Sequence, residues 1–147
     1  MSKPLTLELG VKADPIQYRY TYDWLFRLLA EEGVFHIQLG SFFEMYQLPD
    51  DFFTDLRQQA ADYGIKLTSI FTAHRELGGW FRNDHPAWEE VAFRNYKRLI
   101  QVGVLLAVES VGSNPGAVMR NQMDFKAEGL QRYYQKMKLL IKCLAEK

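Results

Sequence analysis

The chain has 147 residues, 48% apolar and 24% charged, which suits a single globular domain, residues 1–147, with a real core. Its 18 basic and 18 acidic residues cancel, so the basic excess that marks a nucleic-acid binder is missing. No apolar run approaches the ~18 residues of a membrane span, Met1-Ser2-Lys3-Pro4 leads into a strand pattern without a signal-peptide core, and the lone Cys143 fits a reducing cytoplasm.

Two hydrophobic periods alternate along the chain. Leu5 to Val11 is a strand-like run, broken by Ala13-Asp14-Pro15. Thr21 is placed to cap a first helix, with Asp23 in the turn where the helix dipole favours negative charge. Trp24, Leu25, Leu28 and Leu29 follow at helical spacing, and Gly33 sits where a left-handed residue ends a helix. Val34 to Leu39 is the second strand. Pro49 and Asp50 open a second helix through Phe52, Phe53, Leu56, Ala60 and Tyr63, ended by Gly64. Ile65 to Phe71 is the third strand. A long connection from His74 to His85 precedes a third helix, which Pro86 opens from a first-turn position where its missing N–H costs nothing. Gly103 is expected to break that helix, with Ala107 to Val111 as the fourth strand. Gly112-Ser113-Asn114-Pro115-Gly116 reads as a loop, and Asp124 as the cap of a last helix carrying Leu130, Tyr133, Tyr134, Met137, Leu140, Ile141 and Leu144.

Strict alternation of four strand–helix pairs predicts an α/β fold with a parallel sheet and right-handed crossovers. A doubly wound sheet and a barrel both use such units. The loops before strands are short (Glu31-Glu32-Gly33, Asp62-Tyr63-Gly64), whereas those after strands are long, polar and aromatic. This asymmetry favours the barrel, whose functional residues gather after the strands, although doubly wound folds also place ligands there. The fold expected is the first four units of a TIM (β/α)8 barrel, a half-barrel.

Four segments fall at the expected strand ends: Leu9-Gly10-Val11-Lys12, Ile37 to Phe42, Phe71 to Gly79 with its Thr72-Ala73-His74-Arg75-Glu76 core, and Ser110 to Gly116. In order and spacing they resemble the N-terminal half of the xylose isomerase-like TIM barrel family, the sugar phosphate isomerases/epimerases. The resemblance implies a sugar or sugar-phosphate isomerase/epimerase that moves a proton next to a carbonyl. It also implies a divalent metal (Mn, Mg, Co or Zn) for the full-length family. Metal ligands and the acidic pair belong to strands five to eight in that family, so no catalytic residue, metal ligand or cofactor is expected of this chain alone. Its expected part is the substrate-pocket half. The alternative is a non-catalytic half-barrel that binds a small polyol or pairs with a second half-barrel. DNA-repair endonucleases of the same barrel type use histidines after strands three and four. Here strand four runs into Gly112-Ser113-Asn114, which argues against that activity.

Seven residues are candidate substrate contacts: His74, Arg75, Glu76, Glu44, Tyr46, Asn114 and Lys12. The imidazole of His74 suits a sugar hydroxyl or a metal, or else a backbone carbonyl. Neither His36 nor His85 has the spacing of a second ligand. Arg75 suits a phosphate or carboxylate, or a salt bridge with Glu76 or Glu44. Glu44 and Tyr46, in Phe42-Phe43-Glu44-Met45-Tyr46, form an aromatic floor with one carboxylate that suits a polyol, or a segment capping the barrel mouth. Lys12 faces pocket or solvent. Asn114 binds substrate or serves its turn. His36 reads as a core or bottom-face residue, His85-Pro86 as a helix cap, and Gly78-Gly79-Trp80-Phe81 as a mobile lid with an aromatic tip. No phosphate-cradling glycine fingerprint occurs. The expected partners are a small sugar or polyol and, because four parallel strands leave open edges and an apolar sheet face, a second copy or a complementary half-barrel. Nucleic acid and membrane are not expected partners.

Overall fold

The computed structural model describes residues 8–14, 16–40, 44–114 and 116–145, the side chains of 143–145 excepted. The expected start of the first strand (Leu5 to Leu7), Ser41, Phe42, Phe43, Pro115 and the side chains of Cys143 and Leu144 therefore lie outside the described residues. Among the described residues no helix is long and apolar enough to cross a membrane.

Four parallel β/α units follow one another: β1 (Gly10–Lys12), α1 (Tyr22–Glu31), β2 (His36–Leu39), α2 (Asp50–Asp62), β3 (Lys66–Thr72), α3 (Ala87–Leu105), β4 (Ser110–Ser113) and α4 (Lys126–Ala145). The strands lie in the order β1-β2-β3-β4. β1 pairs with β2 and β2 with β3, both in parallel. The chain divides into two compact units, Met1–Phe71 with Val102–Val111 and Thr72–Gln101 with Gly112–Lys147.

In the first unit, local chemistry sets the helix ends. The Thr21 hydroxyl accepts from the Trp24 N–H at 3.3 Å, and α1 and α2 stop at turns where Gly33 (φ 72°) and Gly64 (φ 71°) take the left-handed conformation. Leu25, Phe26 and Leu29 of α1, Phe53, Leu56 and Ala60 of α2, and Ile37, Leu39, Leu67 and Ile70 of the strands are buried. Between β2 and β3 the register slips, so that Ile37 pairs with Leu67 and Gln38 with Ser69. Thr68, left over, donates its hydroxyl to the Ile37 carbonyl at 3.0 Å, while its own carbonyl accepts from the Glu109 N–H. The side chains that β2 and β3 leave half-exposed are mostly polar: His36, Gln38, Thr68 and Ser69, with Gln38 donating to Ser69 at 2.7 Å. The open sheet face expected to be apolar is therefore mixed.

The end of α3 departs from expectation. Gly103 does not break the helix, which runs on to Leu105. Gly103 is buried, and a β-carbon there would lie 2.5 Å from Val111 Cγ1, so glycine serves helix–strand contact. The left-handed turn falls to Ala107 (φ 54°), and β4 starts at Ser110, three residues later than expected.

In the second unit, the segment after β3 folds into a 3₁₀ helix, Arg75–Phe81, packed on α4. The expected lid is thus a packed element. Trp80 is fully buried and stacks on Tyr96 at 4.8 Å, with Tyr133 5.7 Å from it. Gly79 lies against the Trp88 carbonyl, where no β-carbon fits, so this glycine allows close packing and gives no hinge. His85 caps α3 as expected, accepting the Ala87 N–H at Nδ1 (3.1 Å). Asp124 does not cap α4. It lies inside a 3₁₀ segment, Arg120–Phe125, that turns Phe125 into the core beneath Arg132.

Candidate functional site

β3 delivers the chain to His74 in an extended conformation (φ −147°, ψ 163°), and the 3₁₀ helix begins at Arg75. The imidazole is mostly buried, and its Nδ1 lies 2.8 Å from Glu76 Oε2. That hydrogen bond, supported by the residue's own backbone N–H and by the charges of His74 and Arg75, holds the Glu76 carboxyl below the usual range. An ionised Glu76 accepts from Nδ1–H and so fixes the imidazole's tautomer and ring orientation.

After β4, the Ser113 hydroxyl donates to the Asn114 carbonyl at 3.1 Å, and Asn114 Oδ1 accepts from the Gly116 N–H at 3.0 Å. Gly116 has φ 89° and packs on Gly78. The turn chemistry expected of Asn114 is therefore present. With its oxygen spent on the turn, the Asn114 side chain retains its NH₂ donors. Beneath the turn, Ser113 and the Tyr96 hydroxyl are 3.5 Å apart, and burial pushes the Tyr96 phenol up to about 12.

These two loops enclose a cleft of about 290 Å³ lined by Ala73, His74, Arg75, Asn114, Gly116 and Ala117. Three of the expected contacts thus share one cleft, with Glu76 bound to the first of them. Arg75 is exposed, with its guanidinium 5.8 Å from the Trp88 ring centre. Among the described residues the salt bridge weighed for it with Glu76 does not form. The opposing charges are engaged elsewhere: Glu76 by His74, and Asp84 by Arg82, whose buried guanidinium lies 3.9 Å over the Trp88 ring. Trp88 reads in sequence only as a core residue of α3. Its part as a plate for two guanidiniums depends on spatial neighbours that no spacing rule reveals.

The first unit holds the other three candidates. Lys12, at the end of β1, pairs with Asp14 at 2.5 Å and lies 5.0 Å over the Phe71 ring. Asp14 Oδ1 is buried without a hydrogen-bond partner, and its carboxylate fills the space a side chain at Gly40 would need. Glu44 and Tyr46 sit, half-buried, in a 3₁₀ turn, Glu44–Tyr46, after β2. Glu44 Oε1 accepts from the Tyr22 hydroxyl at 2.9 Å, while Oε2 is buried and unpaired. Burial, and then the Glu44 charge, raise the Tyr22 phenol well above its ordinary range. Tyr22, 22 residues before Glu44, is a partner that sequence reasoning missed. His36 lies at the start of β2, 3.2 Å from Glu8, in keeping with a bottom-face residue. Among the described residues no three His, Cys, Asp or Glu side chains come together to hold a metal ion, so these residues do not fit a metal site.

Two solved structures share the fold. A D-psicose 3-epimerase from Clostridium cellulolyticum H10, crystallised with D-tagatose, superposes with a TM-score of 0.70 at 14% identity, over 92% of this chain and 48% of its own. A D-psicose 3-epimerase in the presence of D-fructose gives 0.64 at 13% identity, over 91% and 50%. The chain has the fold of half of a parallel (β/α)8 barrel. It spans about half the length of the epimerases it matches. No family model and no curated protein matches the sequence. Within the half-barrel, each of the seven candidate residues sits at or after the C-terminal end of a strand, the end where barrels of this class keep their functional loops.

Proposed function

We propose that this chain is the substrate-pocket half of a sugar isomerase/epimerase and that it binds a small sugar or polyol. The observation that carries the reading is the cleft after β3 and β4 on an epimerase-type half-barrel, where His74, held by Glu76, shares a wall with Arg75 and Asn114. A ring nitrogen of fixed orientation beside amide and guanidinium donors suits the alternating donors and acceptors of a polyol. Lys12, Glu44 and Tyr46 are proposed as substrate contacts carried by the first unit. The proton transfer and the divalent metal of the family would belong to the whole enzyme, with the present residues binding and orienting the substrate.

In this reading the half-barrel acts as one domain and pairs with a complementary half or a second copy in the cytoplasm. Leu130, Tyr134 and Ile141 support the pairing, as large apolar side chains left exposed along α4. Sedimentation equilibrium tests it, since a stable monomer up to high concentration speaks against it.

The binding test is calorimetric titration of the chain with D-fructose and D-tagatose. Saturable binding that weakens at least tenfold in His74→Ala, with the far-UV spectrum intact, supports the reading. Equal binding by the variant removes His74 from the pocket, and no binding of either sugar rejects the reading.

A further inference from the structure

The cleft after β3 and β4 is richer in donors than a neutral polyol requires. Arg75 is the only cation lining it, is exposed, and makes no ion pair or hydrogen bond among the described residues. The other functional atoms on the wall are the Asn114 NH₂, left over because Oδ1 serves the turn, and the His74 imidazole. Among the described residues no carboxylate lines the cleft, while Glu76 is turned to His74 and Asp84 to Arg82. Arg82 is held, its Nε donating to Asp84 at 2.9 Å and its guanidinium 3.9 Å over the Trp88 ring. Trp88 thus carries a neutralised guanidinium close by and a second, Arg75, that has no hydrogen-bonding anion of its own.

Resting on the sugar-binding reading above, we infer that the ligand of this cleft carries an anionic group, a carboxylate or a phosphate, seated on the Arg75 guanidinium with Asn114 Nδ2 as a second donor. The planar fork of arginine matches two oxygens of either group, and the Trp88 ring centre lies 5.8 Å from it, within cation–π range. Among the described residues the remaining wall, Ala73, Gly116 and Ala117, is small. Glu76, near enough for Arg75 to lower its proton affinity, stays with His74 and sets a modest limit on the attraction.

The test titrates the 147-residue chain with D-fructose, D-gluconate, D-fructose 6-phosphate and inorganic phosphate, for the wild type, Arg75→Gln and Arg75→Lys. The expected result is at least tenfold tighter binding of one anionic sugar than of D-fructose. Arg75→Gln should lose that preference, the anionic sugar weakening at least tenfold more than D-fructose does, and Arg75→Lys should retain part of it. Preference for gluconate over the phosphate ester identifies a carboxylate ligand, the reverse order a phosphate, and binding of inorganic phosphate alone at millimolar strength an adventitious ion only, which overturns the inference. Equal affinity for neutral and anionic sugars, or an anion preference that survives Arg75→Gln, overturns it too while leaving sugar binding intact. Binding of no sugar at all overturns both.

Discussion

Ala107 is the residue on which the fourth unit turns, and replacing it with glycine should stabilise the protein. Its φ of 54° puts a β-carbon where L-residues pay about 1–2 kcal/mol. The Ala107 N–H bonds to the Val104 carbonyl at 3.0 Å and the side chain is exposed, so glycine keeps the turn and gives up almost no packing. Against the relief stands the greater freedom of glycine in the unfolded chain, about 0.4–1 kcal/mol. The net gain for Ala107→Gly is about 0.5–1 kcal/mol, or about 1–4 °C in Tm for a chain of this size. Gly103→Ala supplies the contrast. In an exposed helix it would gain about 1 kcal/mol, but here the new methyl meets Val111 and Val108, and overpacking at such a site costs about 1–3 kcal/mol. Urea unfolding followed by far-UV circular dichroism measures both. A neutral or destabilising Ala107→Gly, or a stabilising Gly103→Ala, would refute the assignment of the turn to Ala107 and of the close approach to Gly103.

Tyr22→Phe removes the one hydrogen bond seen among the described residues to a carboxylate whose other oxygen is buried and unpaired, and should cost about 1–3 kcal/mol in urea unfolding. A cost below about 0.5 kcal/mol would show Glu44 to be hydrated. The Arg82 hydrogen bond lowers the Asp84 carboxyl from 3.8 to about 2, so the stability it adds is fully present above about pH 4 and drains away as pH falls toward 2. Asp84→Asn should flatten that part of the acid limb in unfolding measured between pH 2 and 5, and an unchanged slope would break the link.

Helix signals of short range were legible in the sequence and were found in place: the Thr21 and His85 caps, the turns at Gly33 and Gly64, and the alternation of periods along the four units. Of the candidate site, the positions of His74, Arg75 and Asn114 after their strands were legible because parallel β/α topology places such loops at one end of the strands. Their partners were not. Glu76 lies two residues from His74 but was weighed as a partner of Arg75, and Tyr22 for Glu44 and Trp88 for Arg75 are set by how helices pack.

The sequence alone determined the order and type of the elements, because caps, glycine turns and hydrophobic period act through residues within a turn or two of each other. Tertiary structure decided where they end and what they cover. Gly103 and Gly79 have the same lack of a β-carbon as Gly33, yet both are fixed by a neighbour's approach, Val111 for one and the Trp88 carbonyl for the other. An aromatic beside two glycines reads as a lid until Tyr96 and Tyr133 supply rings to bury it, and Arg75 reads as half of a salt bridge until its possible partners are claimed by others. Packing competition of this kind involves residues distant in sequence, and no local pattern encodes its winner.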